Sequence, residues 1–511
     1  MLSRVQSYVL QGIDAVACEV EIDFIEHEGT GEPPRPIVVG LPDTGVKESI
    51  ERVKSALMNT GYEAPVGRLV VNLAPADVRK DSPGIDLAVA VALLASHEVV
   101  PAPALSDLVL WGELALDGQV RAAAGALVVA DTAQRHGARR LVVAAANADE
   151  AALISGLEVV AVSSLAELVA ALRGDRELRP HVRAASSAAQ VVGPDLADVR
   201  GLPVARLALE VMIAGGHNLL LHGPPGVGKT MLARRAAALM PALDEAAALE
   251  VTKVHGVARG VVASELVRRP PVRMPHHSVS VAGMLGGGTP IRPGEVSLAH
   301  RGLLFLDELP EFPRSCLEGL REPLEDGEVT IVRASGVVRL PARFQLMAAM
   351  NPCPCGYLGH PERACTCPPT AVARYRRRLS GPLLDRIDLV IAVAPVSLDA
   401  LEDTTPTESS AEVAARIEEA RARQRARLAA TRWRCNAEVA AEAGAVEQCC
   451  PLTTSARGLL REVVRARRLS PRAQHRMRRL AQTLADLHGA TIVGEAELAT
   501  AAALRCLPEG G

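Results

Sequence analysis

Residues 219–230 read LLLHGPPGVGKT, and this stretch decides how the chain folds. The apolar run over 218–222 predicts a short buried strand, and the Ala, Leu and Arg residues after position 230 favour a helix. Between them the sequence matches G-x-x-x-x-G-K-[ST], a loop that wraps phosphate oxygens when it follows a strand and opens a helix. The loop consists of Gly223, Pro224, Pro225, Gly226, Val227, Gly228, Lys229 and Thr230.

The residue types in this loop suit phosphate binding. Gly223, Gly226 and Gly228 let the backbone curl so that its N–H groups point at phosphate oxygens, and the following helix adds its positive N-terminus. We expect Lys229 to reach the β- and γ-phosphates and Thr230 to bind Mg²⁺. A Gly/Pro turn without a ligand is the alternative, and the agreement of both flanks with the pattern argues against it. The predicted cofactors are therefore ATP and Mg²⁺.

Two more buried strands are predicted downstream, and each is followed by polar residues. The run at 302–306 ends in Asp307 and Glu308, and the run at 343–350 ends in Asn351. In open α/β sheets, ligands bind at the carboxyl ends of the strands. We expect Asp307 to hold Mg²⁺ through water, Glu308 to polarise the attacking water, and Asn351 to contact the γ-phosphate or that water. For Asn351, capping of the following Pro-Cys turn is the alternative role.

Composition narrows the class of protein. The 511 residues suffice for two or three domains, and with 49% hydrophobic but only 2% aromatic residues, Leu, Val, Ala and Ile must form the cores. The net charge of −3 means that nucleic-acid binding would depend on local basic patches. No long apolar run is free of charge, and the N-terminus lacks a signal-peptide core. We expect a soluble cytoplasmic protein without a membrane partner, whose ten cysteines form no disulfide framework.

The first 171 residues mix β-branched runs with short helical patterns, which indicates an α+β or α/β domain. Predicted strands cover 16–25, 36–39, 68–73 and 140–143, and predicted helices cover 47–60, 85–96 and 122–136.

This region resembles the Lon-protease-like domain found at the front of magnesium chelatase-like ATPases. The block KDSPG at 80–84 lines up with the segment that carries the protease's nucleophilic serine, but here that position falls on Gly84, and Ser82 lies two residues earlier. The segment 112–127, which matches the one with the catalytic lysine, contains no lysine. A Ser–Lys dyad needs both groups, so the resemblance implies a proteolytically inactive domain that serves as an interaction or DNA-channel domain.

A cysteine-rich segment follows Asn351. Two C-x-C pairs, separated by nine residues, could supply four thiolates to one structural Zn²⁺, with His360 as a spare ligand. The C-x-C spacing is tighter than the usual C-x₂-C, and free thiols or a redox switch are the alternatives. The four cysteines are Cys353, Cys355, Cys365 and Cys367.

Two other segments bear on what the protein acts on. Two β-branched runs within 327–341 predict a hairpin that carries Arg333 and Arg339. Arginines near a hairpin tip suit contact with a phosphate backbone, and an ordinary surface hairpin is the alternative. The adjacent His276 and His277 lie in a Gly/Pro-rich loop, and adjacent histidines have poor geometry for binding a single metal ion.

The motifs GPPGVGKT, LFLDE, MNP and SGPLLDRIDL, in that order, resemble the magnesium chelatase-like AAA+ ATPases of the ComM/YifB family. The resemblance implies that Arg386 is an arginine finger for the neighbouring subunit's nucleotide and that Arg472 is the sensor 2 arginine. A guanidinium neutralises the charge that builds up in the transition state of phosphoryl transfer. An ion pair of Arg386 with Asp385 or Asp388 is the alternative for the first arginine, and a solvated surface position is the alternative for the second.

The resemblance extends over nearly the whole chain and implies its fold class. The implied fold is α/β, with a Lon-protease-like α+β N-terminal domain (1–171), a linker (172–194), a P-loop AAA+ parallel-sheet ATPase core with the cysteine cluster (195–396), and a helical C-terminal lid (397–511). The implied function is a ring-forming DNA motor, a homo-hexameric branch-migration helicase that acts on single-stranded or branched DNA in recombination or natural transformation. The alternatives are the ATPase subunit of a metal chelatase and a protein-remodelling regulatory ATPase.

Overall fold

The computed structural model describes residues 2–26, 36–40, 44–63, 67–76, 78, 80, 83–183, 193–259, 262–288, 291–333, 336–402, 405–440, 442 and 444–505. The chain divides into two compact units. The first comprises residues 1–189, 248–267 and 330–340, and the second comprises 190–247, 268–329 and 341–511. Within the described ranges, the structure contains no helix with the length and apolarity needed to cross a membrane.

The first 183 residues contain strands and helices in alternation. The strands are β1 (Leu2–Gln11), β2 (Asp14–Glu26), β3 (Ile37–Val39), β4 (Gly67–Ala74), β5 (Leu108–Trp111), β6 (Glu113–Leu114), β7 (Val120–Arg121), β8 (Arg140–Ala144) and β9 (Glu158–Val162). The helices are α1 (Thr44–Asn59), α2 (Asp86–Ser96), α3 (Ala126–Arg135), α4 (Ala148–Ala151) and α5 (Leu165–Leu172). Every strand and helix predicted for this region is present, with ends within four residues of the prediction.

The first unit is organised around a mixed seven-stranded sheet in the order β3-β4-β2-β1-β5-β8-β9. Strands β1, β2 and β4 pair antiparallel, whereas β5, β8 and β9 pair parallel. Helix α2 packs against β1 and β2 and is buried along its whole length, as expected of a helix that is apolar on every side. This combination of an antiparallel and a parallel half agrees with the predicted α+β character of the region.

The position that aligns with the protease nucleophile is sterically closed. A Cβ atom built on Gly84 would lie 2.4 Å from the Cζ2 atom of the buried Trp111, so a serine has no room there. Lys80 is buried, and its ammonium donates to the carbonyl of Pro75. Ser82 lies outside the described residues. These contacts support the prediction of an inactive protease-like domain.

The strands of the remaining chain are β10 (Leu219–His222), β11 (Val272–Arg273), β12 (Gly286–Gly287), β13 (Arg292–Pro293), β14 (Leu303–Leu306), β15 (Glu328–Arg333), β16 (Gly336–Pro341), β17 (Gln345–Met350) and β18 (Leu389–Ala392). The helices are α6 (Pro203–Gly215), α7 (Lys229–Leu239), α8 (Glu245–Arg259), α9 (Val281–Leu285), α10 (Glu295–Leu298), α11 (Arg314–Gly319), α12 (Arg321–Asp326), α13 (Pro369–Arg376), α14 (Gly381–Leu384), α15 (Leu398–Glu402), α16 (Ser410–Leu428), α17 (Ala445–Cys449), α18 (Thr454–Ala466), α19 (Pro471–Leu487) and α20 (Glu495–Ala503).

The second unit contains a five-stranded sheet in the order β11-β14-β17-β10-β18. All neighbouring strands are parallel, so their carboxyl ends lie at one edge. Helices α6 and α7 pack with α16, and α19 packs on α6, α16 and α20, so the C-terminal part is helical. The predicted fold class, an α/β protein with a parallel-sheet core and a helical C-terminus, is confirmed.

Strands β15 and β16 form their own two-stranded sheet, which confirms the predicted hairpin. Its turn residues, 334 and 335, lie outside the described residues. Both arginines are exposed: Arg333 ends β15 next to the turn, and Arg339 lies further along β16. A Cβ atom on Gly12 would lie 2.7 Å from Val338 Cγ1, so one side chain of the hairpin packs on the turn between β1 and β2.

Candidate active site

The phosphate loop connects β10 to α7, and its glycines meet backbone requirements. A Cβ atom on Gly223 would lie 2.2 Å from the carbonyl oxygen of Val393. Gly226 and Gly228 have φ angles of 83° and 90°, a region that side chains disfavour. Helix α7 begins at Lys229, so the unpaired N–H groups of its first turn open onto the loop. The loop therefore has the form that an anion site requires.

Lys229 is held at the mouth of this loop. The residue is buried, with only 8% of its surface exposed. Its Nζ donates to the carbonyls of Gly223 at 2.7 Å and Pro224 at 2.8 Å. A third bond, of 3.2 Å, reaches Oδ1 of Asn351. Burial lowers the pKa of Lys229, and the two carboxylates of the acid pair oppose that shift. Because phosphate oxygens are stronger acceptors than these neutral groups, the ammonium is placed to exchange them for a phosphate.

Thr230 and Asp307 meet at the carboxyl edge of the sheet. Oγ1 of Thr230, in the first turn of α7, donates to Oδ2 of Asp307, just beyond β14, at 2.6 Å. Oδ1 of Asp307 accepts from the backbone N–H of Glu308 at 2.9 Å. A threonine hydroxyl and an aspartate are the oxygen donors that bind Mg²⁺ in phosphate-loop enzymes, and their lone pairs converge here. The donor set therefore fits Mg²⁺.

Glu308 has an unusual backbone conformation. Its φ and ψ angles are 52° and 46°, in the left-handed region, which costs a non-glycine residue about 1–3 kcal/mol. Its side chain is exposed, and Oε2 lies 3.4 Å from Nδ1 of His277. Strained backbone of this kind is common at functional sites, where it directs a side chain into a cleft.

Asn351 follows β17, the strand between β10 and β14. Its side chain therefore lies between the phosphate loop and the acid pair, and it accepts from Lys229 as described above. A Cβ atom on Gly356 would lie 2.7 Å from Cδ of Pro225 and 3.9 Å from Cγ of Asn351. The cysteine-rich segment thus packs directly on the phosphate loop.

The four predicted cysteines converge, with their Sγ atoms all within 4.8 Å of one another. Sγ of Cys353 lies 3.4 Å from that of Cys355 and 3.6 Å from that of Cys365. Four thiolates around a tetrahedral Zn²⁺, with Zn–S bonds of about 2.3 Å, would be about 3.8 Å apart. Nδ1 of His360 accepts two backbone N–H groups of its own loop at 3.1 Å, so this histidine has a local structural role. The cluster can hold Zn²⁺ with Cys367 as the fourth ligand.

Arg386 lies at the amino ends of the strands, whereas the phosphate loop lies at their carboxyl ends. Its carbonyl accepts from Nδ2 of Asn218, which precedes the amino end of β10. At 3.3 Å per residue, Gly223 is roughly 16 Å further along that strand. The guanidinium forms an ion pair with Glu325 and donates to the carbonyl of Pro382 at 2.8 Å. Its partner is thus neither of the two aspartates that the sequence offered as alternatives.

Arg472 is exposed in the first turn of α19. Ser470 caps this helix, since its Oγ accepts the backbone N–H of Ala473 at 3.3 Å. One turn further on, the nearly buried Arg476 pairs with Asp385 at 3.2 Å. Helix α19 therefore begins beside the turn that carries Arg386, a proximity that the sequence does not reveal.

A buried polar network underlies this turn. Nε2 of His217 lies 2.8 Å from Oγ1 of Thr483 in α19, and Nδ1 lies 3.5 Å from Asp388. Burial disfavours ionisation of Asp388, but hydrogen bonding and charge from His217 hold its pKa below the usual value. The backbone N–H of Asn218 donates to the same carboxylate at 3.2 Å. The lid helix, the amino end of β10 and the Arg386 turn are thereby tied together.

A cavity of about 400 Å³ opens near the phosphate loop. Leu202 is part of its wall, and Cδ1 of this leucine would lie 3.5 Å from a Cβ atom on Gly228. Val199 and Val413 add further apolar surface. The sequence offered no signal for this cavity, because its walls come from two distant segments, 196–210 and 407–416.

A parallel sheet with a phosphate loop after one strand, an acid pair after a second and an asparagine after the strand between them defines a phosphate-loop ATPase domain of the AAA+ class. Family models agree with this class. Residues 25–147 match "Subunit ChlI of Mg-chelatase", residues 195–401 match "Magnesium chelatase, subunit ChlI", and residues 407–505 match "Magnesium chelatase, subunit ChlI C-terminal".

Curated relatives extend over almost the full length. The chain is 40% identical to the uncharacterized protein YifB of Escherichia coli (strain K12), with 99% of this chain and 97% of that protein aligned. It is 38% identical to the competence protein ComM of Haemophilus influenzae, with 99% and 98% aligned. A magnesium-chelatase 38 kDa subunit of Acidiphilium rubrum is 32% identical, over 26% of this chain and 45% of its own length. The chain belongs to the magnesium chelatase-like AAA+ ATPases, in the family of YifB and ComM.

Proposed function

We propose that this protein is a ring-forming ATPase that moves along DNA and drives branch migration during recombination or natural transformation. The family supplies the ATPase class, and the printed name of the ComM relative links that protein to competence. The observation that carries the DNA part is the hairpin β15–β16, which presents the exposed Arg333 and Arg339. Exposed guanidinium groups on a hairpin are suited to contacts with a phosphate backbone.

In the proposed cycle, the phosphate loop and Lys229 bind the β- and γ-phosphates of ATP. Thr230 and Asp307 hold Mg²⁺, and Glu308 polarises the attacking water. Asn351 contacts the γ-phosphate or that water. The base of the nucleotide occupies the cavity beside Leu202. These roles are supported by two hydrogen bonds at the carboxyl ends of the strands, one from Lys229 to Asn351 and one from Thr230 to Asp307.

The distance of Arg386 from its own phosphate loop supports a site shared between subunits. A side chain at the opposite edge of the sheet can contact a nucleotide only in another copy of the chain, and a closed ring supplies one such neighbour to every subunit. We therefore propose that Arg386, with Arg472 on the adjacent helix, completes the neighbour's site in a homo-hexamer. Hydrolysis then depends on assembly, because each arginine finger comes from the next subunit.

DNA-stimulated ATP hydrolysis tests the proposed function. Single-stranded or branched DNA should raise the turnover of the purified protein several-fold, and Arg333→Ala should reduce this stimulation and its salt dependence while leaving basal turnover intact. Arg179→Ala, at an exposed arginine elsewhere, is the matched control and should behave as the wild type. Turnover that no DNA changes, or an Arg333→Ala protein as responsive as the wild type, would contradict the DNA motor and favour a chelatase-type or protein-remodelling role.

Zinc content tests the cysteine cluster. The wild type should contain about one Zn²⁺ per chain, and the double variant Cys353→Ser/Cys365→Ser should contain almost none. Because Gly356 packs on Pro225, loss of the metal should also weaken nucleotide binding, by about tenfold. Cys449→Ala, at a cysteine outside the cluster, should retain the metal. Equal zinc in the double variant and the wild type would exclude the site.

A further inference from the structure

The loop between β11 and α9, residues 274–280, brings a histidine to the candidate catalytic glutamate. Nδ1 of His277 lies 3.4 Å from Oε2 of Glu308, although the two residues are 31 positions apart in the chain. We infer that His277 is a positioning residue for Glu308, and that this loop couples the segment that follows it to ATP hydrolysis. The inference rests on the proposed ATPase function and adds a regulatory element to the same site.

The surroundings of His277 fix the orientation of its ring. The ring lies against that of His276, with centroids 4.0 Å apart and the planes tilted by 35°, and it meets the buried Phe312 edge-on at 6.4 Å. Nδ1 of His276 is within 2.8 Å of Oγ of Ser278, so the neighbouring histidine shapes the turn and does not contact Glu308 in the same way. The two adjacent histidines thus have different partners, Ser278 for His276 and Glu308 for His277. The sequence alone does not predict this difference.

Glu308 needs such a partner. Its left-handed backbone directs the side chain away from β14 into an exposed position, where an unrestrained carboxylate would sample several rotamers. A general base acts efficiently only when it is aligned with the attacking water, and misplacement by about 1 Å can cost about a hundredfold in rate. A protonated Nδ1 that donates to Oε2 would select one rotamer. At 3.4 Å the two atoms are within ion-pair distance, and a closer approach of a few tenths of an ångström would form this hydrogen bond.

The structure also gives His277 room to leave Glu308. A cavity of about 470 Å³ adjoins the ring and is lined in part by Ser278, Arg314 and Arg378. At the end of the loop, the carbonyl of Val279 accepts the Cys316 thiol at 3.5 Å, and the chain continues into α9 and the small hairpin β12–β13. A ligand that moves α9 or this hairpin would therefore pull on the loop and change how His277 contacts Glu308.

Steady-state kinetics of three single variants test this role. His277→Ala should lower kcat about tenfold to a hundredfold and change KM for ATP by less than about twofold, because positioning acts on the chemical step. His277→Asn should recover much of the loss, since its amide Nδ2 takes the place of Nδ1. His488→Ala, at an exposed histidine at the end of α19, is the control and should retain the wild-type kcat. If His488→Ala and His277→Ala cause equal losses, or His277→Ala matches the wild type, the inference is wrong.

A double-mutant cycle separates positioning from a structural effect. In the Glu308→Gln background, where the base is absent, His277→Ala should cause no further loss in single-turnover hydrolysis. Additive losses would show that His277 acts independently of Glu308 and would overturn the inference. Failure of the proposed function is distinguishable, because the DNA motor fails when no DNA changes the turnover of the wild type, whereas this inference fails when His277→Ala leaves kcat unchanged.

Discussion

Replacing Lys229 with alanine should lower ATP hydrolysis by about a thousandfold and abolish tight nucleotide binding. The ammonium is buried at the mouth of the phosphate loop, where it bonds to two loop carbonyls and to Asn351. Alanine would remove the positive charge that faces the β- and γ-phosphates and leave the carbonyl dipoles of the loop to repel them. Steady-state turnover and binding of a fluorescent ADP analogue measure the two effects, and a thermal melt shows that the variant folds.

The chain offers a matched control on the same helix. Arg234 is an exposed cation one turn further along α7, so Arg234→Ala removes a positive charge of the same helix without entering the loop. We expect this variant to bind nucleotide and turn over as the wild type does. A Lys229→Ala protein that retained wild-type turnover would show that the phosphate loop is not where ATP is hydrolysed.

The sequence predicts the local parts of this site well. A glycine-rich loop between a strand and a helix, and apolar runs that end in Asp307 or Asn351, are short-range patterns that the backbone itself enforces. Their convergence also follows from the sequence, because parallel strands have their carboxyl ends at one edge. In the structure Thr230 reaches Asp307 and Lys229 reaches Asn351 within hydrogen-bonding distance.

The contacts between distant loops could not be predicted. His277 meets Glu308, Gly356 meets Pro225, and Arg386 meets Glu325 only because the sheet and its insertions fold together, and no periodicity connects these positions. The paired histidines drew attention in the sequence as a poor metal site, whereas one of them contacts the acid pair. Tertiary packing determines these pairs, so they become visible only in the folded chain.

Strand β1 shows a different limit. This strand was not among the predicted ones. Two of its inward positions are Ser3 and Ser7, which interrupt the apolar alternation expected of a half-buried strand. In the structure both hydroxyls are satisfied, because Ser3 donates to the carbonyl of Ala92 at 2.6 Å and Ser7 to that of Leu110 at 2.8 Å. Buried serines with partners fit a core position that a hydrophobicity pattern overlooks.

Arg386→Ala should lower turnover about a thousandfold while leaving ATP binding nearly unchanged. The guanidinium is too far from its own phosphate loop to support the lysine, so under the proposed shared site its loss should remove only the stabilisation of the neighbour's transition state. Its ion pair with Glu325 would have to open before it reaches that neighbour, and Glu325→Ala should therefore not lower turnover. Arg377→Ala, at an exposed arginine nearby, serves as the control for general loss of positive charge.

A site shared between neighbouring copies is the central claim, and mixing two inactive proteins tests it most directly. Arg386→Ala subunits retain Glu308, and Glu308→Gln subunits retain the arginine finger, so a random equal mixture should form complete sites at about one quarter of its interfaces. ATP turnover of the mixture should then rise to about one quarter of the wild-type rate, with each variant alone near zero. A mixture that co-assembles yet remains as inactive as its separate components would contradict the shared site.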